Sequence, residues 1–451
     1  MNEGGVVATR ADEFFAMAKA RQEAGDVPGA ANLYGASLQE NPCHVGSLNN
    51  LAYLLKDNGL VPTAIVAYRR AHALAPEDVD IKVNLARALF FVEKYQEALD
   101  ILLEARAQAP ERGDVWHNMG HCYVGLNQLE DAVKAFDKAL ELVPAATIRW
   151  DRSLCLLSMG DYRNGWEGHD ARFDTFHPKV RQIPLPLWMG EPLEGKSLWI
   201  HADQGAGDAI MAARYIPMIC EQAAEVIVDV PGPLDRLLRQ LPGPREWRVD
   251  RSLIPRSHDC YHIPLFSLIG RLGIDLDIVD GRPYLNPVHG AEAIRLPGRK
   301  RVGLVWAGTA AHPRDRWRSM DFGQMVAIAE DPSVSWYSFQ TGSRAADLAS
   351  LMGNALVRDI SPLLIDYAAT ASYLRQLDAL VTVDTSIAHL AGALGVKTFL
   401  MLASIPDWRW LRTGDTTPWY NSVTLIRQRE PGDWEEAIGR ARRALMAHLC
   451  N

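Results

Sequence analysis

Along the first third of the chain, small and large apolar positions recur at a fixed spacing of 34 residues. Alanine returns at Ala30, Ala64, Ala98 and Ala132, a small residue at Ser37, Ala71, Ala105 and Ala139, and a large one at Tyr34, Tyr68, Leu102 and Phe136. Another small series, Ala18, Ala52, Ala86 and Gly120, precedes these, and Pro42, Pro76, Pro110 and Pro144 close each unit. The pattern predicts two helices per unit. Small residues let the pair approach, the bulky position fills the space between them, and proline cannot continue the second helix. The text then changes: Pro178, Pro184, Pro186 and Pro192 crowd residues 176–196, which predicts a linker or extended strap. Beyond it, short apolar runs alternate with helical periods. Strands are predicted at 197–202, 225–230, 301–308, 335–340 and 379–384, with a helix at 209–222, an alternation that argues for parallel sheets covered by helices. The last helix, at about 434–449, is expected to return to support the first α/β unit.

The 34-residue pattern resembles the tetratricopeptide repeat. Its fourth unit carries the fullest set, with Trp116, Met119, Gly120, Tyr123, Ala132, Phe136, Ala139 and Pro144. Four repeats occupy residues 11–146, and a degenerate fifth pair through Trp150, Leu154, Leu157, Gly160 and Trp166 caps them. The expected organisation is multidomain: an all-α solenoid with capping helices over 11–175, the linker 176–196, and two Rossmann-like units at 197–297 and 298–451. A repeat stack presents a concave surface, so a protein or peptide partner is expected there. Asn50, Asn84 and Asn118 share the same spacing in the first helix of three units. A side-chain amide donates and accepts at once, so these residues could hold an extended peptide by its backbone, or asparagine could merely suit that helix position. Ala16 breaks the series in the first unit.

Composition narrows the function classes. With 48% hydrophobic and 23% charged residues the chain is of globular type, and Lys plus Arg total 47 against 55 for Asp plus Glu, a net charge of −8 without the basic footprint of a nucleic-acid binder. No apolar run is long enough to span a membrane, and the first residues lack a secretion signal, so a soluble cytoplasmic protein is expected. Cys43, Cys122, Cys155, Cys220, Cys260 and Cys450 are scattered, without a Cys-x-x-Cys pair or clustered His ligands, which argues against disulfides and structural zinc. Two Asp-x-Asp tripeptides, at Asp78 and Asp80 and at Asp275 and Asp277, lie away from the chemistry discussed next and read as chance matches to a metal-binding pattern.

After the first predicted strand comes a loop with Gly205, Gly207 and Asp208, which lacks the complete dinucleotide fingerprint and so speaks against an oxidoreductase. Joined to the stretch VGLVWAGT at 302–309, to Arg316, Arg318 and Ser319, and to the D-T-x-x-x-H-L-A-G block at 384–392, it resembles the two-domain GT-B glycosyltransferases of the ADP-heptose:lipopolysaccharide heptosyltransferase type. The resemblance covers most of residues 197–430. A repeat array fused to such a domain also looks like the bacterial flagellin glycosyltransferases and, in architecture, like protein O-GlcNAc transferase.

What the resemblance implies is a metal-independent, inverting transfer from a nucleotide-sugar co-substrate to a protein acceptor such as flagellin, with no further cofactor. It maps the catalytic carboxylate onto Asp208, with Gly205 and Gly207 leaving room for the acceptor; the plainer reading of Asp208 is a helix N-cap. Thr309, Arg316 and Arg318 would meet the donor phosphates, and Asp384, Thr385 and Ser386 lead into a helix whose N-terminal N–H groups favour an anion. His389 reads equally as a donor ligand or a core histidine. Gln340, at a strand end, would read the base or ribose, or only form a turn. Arg409 falls in an aromatic-rich segment and is taken as packing. The alternatives are a heptosyltransferase-like enzyme with a lipopolysaccharide or other saccharide acceptor, and a non-catalytic adaptor with a degenerate transferase domain.

Overall fold

A computed structural model describes residues 8–175, 180, 182–249, 259–288, 295–298, 300–312, 314–350 and 356–450. The opening segment, in which no secretion signal was read, and residues 176–179 and 181 of the expected linker lie outside the described residues. The chain divides into two compact units, Met1–Arg152 and Ser153–Asn451.

Helices of the first unit pair as the periodicity predicts: α1 (Arg10–Glu23) with α2 (Val27–Glu40), α3 (Val45–Asp57) with α4 (Val61–Leu74), α5 (Val79–Phe91) with α6 (Tyr95–Gln108), and α7 (Gly113–Gly125) with α8 (Leu129–Leu142). Every member of the alanine series at Ala30, Ala64, Ala98 and Ala132 is fully buried, as are Tyr34, Tyr68 and Leu102, with Phe136 nearly so. At Gly120 the contact is closest: a Cβ there would lie 2.4 Å from the Phe136 ring, so glycine is what allows α7 to meet a phenylalanine on α8. Pro42, Pro76, Pro110 and Pro144 each follow the C-cap residue of the second helix, where an absent N–H costs nothing. Ser37, at an otherwise alanine position, donates its hydroxyl to the Ala11 carbonyl at 2.8 Å and so stays satisfied when buried. Asp78 is the N-cap of α5, accepting from the N–H groups of Asp80 and Ile81, and Asp275 accepts from Leu276 N–H at 2.8 Å, so both Asp-x-Asp tripeptides serve as caps.

Helix α9 (Ala146–Met159) spans the boundary between the units, and α10 (Tyr162–His169) packs within the second. Tyr162 is fully buried, stacks on Trp419 with ring centroids 5.7 Å apart and accepts from its indole N–H at 3.1 Å. Trp166 donates to the Ile274 carbonyl at 3.2 Å. The degenerate pair predicted as a solenoid cap therefore ends in a helix embedded in the α/β core.

That core contains two all-parallel sheets. The first, ordered β3-β2-β1-β4, uses β1 (Ser197–His201), β2 (Glu225–Val230), β3 (Glu246–Val249) and β4 (Cys260–Pro264). The second, ordered β10-β9-β8-β5-β6-β7, uses β5 (Lys300–Val305), β6 (Val334–Ser338), β7 (Arg358–Asp359), β8 (Ala379–Val383), β9 (Thr398–Leu402) and β10 (Val423–Arg427). The helical repeats followed by two parallel α/β sheets are the architecture expected from the sequence. Strands β8 and β9 are buried on both faces and read as nearly continuous apolar runs, whereas the edge strands β3 and β7 are part-exposed or exposed and carry charged residues.

Two local expectations are corrected. The helix expected at 209–222 starts earlier and splits into α11 (Ala206–Ala213) and Ile216–Cys220, because Pro217 has no N–H to continue the first segment's ladder. The terminal helix Trp434–Cys450 packs on the second sheet, not the first: Trp434, Ala437, Ile438, Ala441 and Leu445 form one apolar face buried with Val302, Leu304, Val381 and Phe399.

Candidate active site

The residues singled out in the α/β unit follow the carboxyl ends of β1, β5, β6 and β8, the edge at which open parallel sheets carry their ligands. From the first sheet comes the loop after β1. Its glycines have different tasks. Gly205 is the N-cap of α11, and an added Cβ would meet only a carboxylate oxygen of Asp208, at 3.2 Å. Gly207 faces the helix Ser386–Leu394, where a Cβ would lie 2.8 Å from His389 Cδ2 and 3.3 Å from Ser386 Cα. The space at Gly207 is thus taken by the second sheet's helix, not left open for an acceptor.

Asp208 stands in the first turn of α11, three residues after its N-cap, so its cap role is reciprocal to the one expected. Its Oδ2 accepts from the Gly205 N–H at 3.0 Å, while Oδ1 accepts from the guanidinium of Arg409, carried by the loop after β9. About a fifth of the side chain remains open, at 21%, enough for a ligand hydroxyl to reach it. Burial pushes its carboxyl above the ordinary range and the Asp407 charge adds to this, while Arg409 opposes it. Beneath the loop, fully buried Arg172 anchors Asp203 through Nε and Nη2 at 3.1 and 3.0 Å, and is itself held by Asp170 at 2.9 Å and Ser267 at 2.7 Å.

From the second sheet come the basic groups. Arg318 runs beside Gly308, where a Cβ would lie 2.5 Å from its Nη2, and its Nε is 3.6 Å from Asp315. Ser319 ties this loop down, accepting from Gly308 N–H at 2.9 Å and donating to Asp315 at 2.8 Å. Thr309 and Arg316 are exposed, with the Arg316 guanidinium 4.1 Å from the Trp317 ring centroid. Arg412, not singled out in the sequence, is driven down to about 10 by burial and by the nearby Arg314 charge. Its Nε and Nη1, with the Nε of Arg318, are buried donors without a hydrogen-bond partner among the described residues. Buried donors of this kind are ordinarily satisfied by water or a ligand, and guanidinium groups favour phosphate oxygens.

Between these sets lie Asp384, Thr385, Ser386 and His389. Thr385 is the N-cap of the helix Ser386–Leu394, without a side-chain cap bond, and the Ser386 hydroxyl accepts from Tyr367 at 2.7 Å. Burial and the Asp407 charge push Asp384 up to about 6 against the pull of Arg318 and Arg409. Burial acts to raise Asp407 as well, but Arg409 overcomes it and holds that carboxyl below its usual range. His389 is driven down to about 3 by burial and the Arg409 charge, so its ring is neutral; it lies 3.0 Å from the Tyr420 hydroxyl through Nδ1 and stacks on Trp410 at 5.0 Å.

Gln340 has a task that its strand-end position did not reveal. Its Oε1 accepts from the N–H groups of Trp306 and Ala307 at 3.0 and 2.9 Å, and its Nε2 donates to the carbonyls of Ala307 and Thr341 at 2.9 and 3.1 Å. All four hydrogen-bonding positions of the amide are used on the backbone, leaving none for a base or ribose. Arg409 was read as packing among aromatics. It does lie over Phe266 and Trp408, at 4.9 and 4.7 Å, yet it also bridges Asp208 and Asp407 and so sits at the electrostatic centre.

In the first unit the three asparagines are all half-buried but unequal. Asn50 donates to the Tyr34 hydroxyl at 3.1 Å and accepts from Asn49 at 3.2 Å, and Asn84 donates to Asn49 at 3.1 Å. Asn118 donates back to the Asp114 carbonyl of its own helix at 2.7 Å.

The tetratricopeptide repeat family matches residues 15–79 and 113–145, and no glycosyltransferase family matches. Protein FlbA of Caulobacter vibrioides is 25% identical over 502 residues, an alignment that covers 95% of this chain and 83% of FlbA. The peroxisomal targeting signal receptor of Eremothecium gossypii is 26% identical over 100 residues, 22% of this chain and 18% of the receptor. Among solved structures, MamA of Desulfovibrio magneticus RS-1 aligns with a TM-score of 0.36 at 17% identity, covering 39% of this chain and 99% of that one. No helix among the described residues is long and apolar enough to cross a membrane.

Proposed function

We propose that the α/β unit is a GT-B glycosyltransferase that uses a nucleotide-sugar, and that the repeats recruit its protein acceptor. The observation that carries this reading is a partly open, raised carboxylate, Asp208, paired with Arg409, which also acts on Asp384 together with Arg318, a guanidinium whose buried Nε has no hydrogen-bond partner among the described residues. A transferase needs such a pair: a base for the acceptor hydroxyl and a cradle for the departing phosphate.

In this scheme the acceptor O–H gives its proton to Asp208 as its oxygen bonds to the anomeric carbon. The bond from that carbon to the donor phosphate breaks, and its electron pair leaves with the nucleoside diphosphate. Arg318, Arg412 and the N–H groups at Thr385 and Ser386 stabilise the charge that develops there. Asp384 and His389 shape the cleft on this side, and Thr309 and Arg316 form the exposed lip of the donor loop. Arg409 opposes the upward push that burial exerts on the Asp208 carboxyl. The scheme calls for no metal, and inversion follows from attack opposite the leaving phosphate. Similarity to FlbA runs through repeats and α/β unit together, which supports a function needing both.

The test is turnover of a panel of nucleotide-sugars by the full chain, read as nucleoside diphosphate release with and without candidate acceptor proteins, flagellin among them. Release with one donor, stimulated by a protein acceptor, is expected. Release stimulated only by saccharides would point to the heptosyltransferase-like alternative, and donor binding without release to an adaptor.

A further inference from the structure

The repeats carry a cluster with no part in the scheme above. His117 and His121 lie one turn apart on α7, so their rings project from the same helix face. Asp151 on α9 follows His117 by 34 residues, one full repeat, and consequently occupies the matching place on the neighbouring helix. The three groups converge: His117 Nε2 is 2.7 Å from Asp151 Oδ2, His121 Nε2 is 3.2 Å from the same oxygen, and the two Nε2 atoms are 3.2 Å apart.

This triangle has the dimensions of one face of a metal-centred tetrahedron. With zinc bonds of about 2.0–2.1 Å to nitrogen and oxygen, ligand atoms in a tetrahedral site stand about 3.3 Å from one another. Two edges already match, and the third opens by about 0.6 Å when the carboxylate turns toward an ion. Convergence of two imidazole nitrogens and one carboxylate oxygen on a common point is more than a single hydrogen bond requires, since a proton bridges two atoms and a cation three. The side chains are 23%, 34% and 23% exposed, so an ion could enter and keep a water as its fourth ligand. Phe136 flanks both rings, at 5.9 and 5.5 Å, and Phe90 approaches His121 at 5.8 Å, giving the polar triad an apolar border.

We propose that His117, His121 and Asp151 form a site for a divalent transition-metal ion, Zn²⁺ by its donor set, that ties α7 to α9. The absence of clustered histidine ligands inferred from the sequence is thereby corrected: the third ligand is a full repeat away, and only stacking of the helices brings it in. The site lies in the first unit and stands or falls independently of the transferase scheme.

The full chain, freed of any affinity tag and stripped with a chelator, should bind one equivalent of Zn²⁺ in competition with a chromogenic chelator. His121→Ala and Asp151→Asn should each weaken binding about 100-fold or more, since even outer-shell partners of metal ligands are worth about 10–100-fold. Zn²⁺ should raise the thermal midpoint of the parent chain but not of these variants. Co²⁺ should give the visible bands of a four-coordinate site without thiolate charge transfer, which separates this site from the exposed Cys43 and Cys450. Unaltered affinity in folded His121→Ala, a thiolate signature, or no binding by the parent chain would each overturn the proposal and leave a hydrogen-bonded His-Asp-His chain.

Discussion

Asp208 and Arg409, 201 residues apart in the chain, form an ion pair that joins the loop after β1 in one parallel sheet to the loop after β9 in the other. The carboxylate proposed as the base thus depends on a cation from the opposite sheet. Two roles are superimposed on one contact, and they separate by substitution. Asp208→Asn keeps the shape and the Gly205 contact but removes the proton acceptor. Turnover should fall by about 10²–10⁴-fold, with donor affinity nearly unchanged in a nucleotide-binding titration. Unchanged turnover would end the assignment.

Removing the cation should instead be felt in stability. Arg409→Met leaves Asp208 and Asp407 without their counter-charge in a buried setting, a loss of about 3–5 kcal/mol by denaturant unfolding. Adding Asp208→Asn to that variant should recover part of the loss, because one stranded charge is gone. A double variant no more stable than Arg409→Met alone would show that the Asp208 charge does not matter to the fold.

The two glycines of the loop should respond unequally to alanine. At Gly207 the added methyl meets the ring of His389 and the backbone of Ser386, so the start of the helix Ser386–Leu394 must move. A cost of about 1–3 kcal/mol is expected, with weaker donor binding. At Gly205 the backbone is extended, at φ −68° and ψ 167°, and only a carboxylate oxygen is close, so alanine should cost under about 1 kcal/mol. Equal effects would mean that the loop and helix do not meet as described.

The repeats were legible because each 34-residue unit is a local object: Ala64 and Tyr68 meet the core by spacing alone, and Pro76 marks the stop. Strands β1, β2, β5, β6 and β8 were legible because burial leaves them largely apolar, whereas the edge strands β3 and β7 carry Glu246, Arg248, Arg358 and Asp359 and gave no such signal. The centre of the site was not. Arg409 sits between two tryptophans, and nothing nearby in sequence signals that its partner is Asp208. Gln340 looked like a ligand-reading strand end, since the N–H groups that consume its amide belong to Trp306 and Ala307, more than thirty residues away. Arg412 was missed for the same reason: its burial and unused donors are products of tertiary folding. The motif glycines lie in the loop that meets the helix Ser386–Leu394, where Gly207 serves helix packing.

Asp384 and His389 make opposite contributions to stability as pH changes. Folding raises Asp384 from 3.8 to about 6, so the folded chain holds a proton that the unfolded chain has released, and this contribution falls as pH rises through that window. Folding lowers His389 from 6.5 to about 3; its contribution is complete above the unfolded value and is lost as pH falls toward 3. Asp384→Asn removes the first effect only. Its unfolding free energy should exceed that of the parent chain at pH 7, by on the order of 2 kcal/mol, and the difference should shrink toward pH 4. A difference independent of pH would refute the raised carboxyl.

For the repeat groove, the inequality of the asparagines makes a graded prediction. If the repeats hold an extended acceptor by its backbone, each lost amide removes a hydrogen bond worth about 0.5–1.5 kcal/mol, or roughly threefold to tenfold in affinity. Asn50 already uses its amide on Tyr34 and Asn49, whereas only one donation is seen for Asn84, to Asn49. Asn84→Ala should therefore weaken acceptor binding more than Asn50→Ala, while Asn50→Ala should cost more stability because it strips a neighbour from the buried Tyr34 hydroxyl. Asn118, bonded within its own helix, keeps its carbonyl oxygen for a peptide N–H, and Asn118→Ala should fall between them in affinity. Isothermal titration of a protein acceptor into the three single variants and the triple variant measures this directly. Unchanged affinity in the triple variant would show that the series serves the helices and not a ligand.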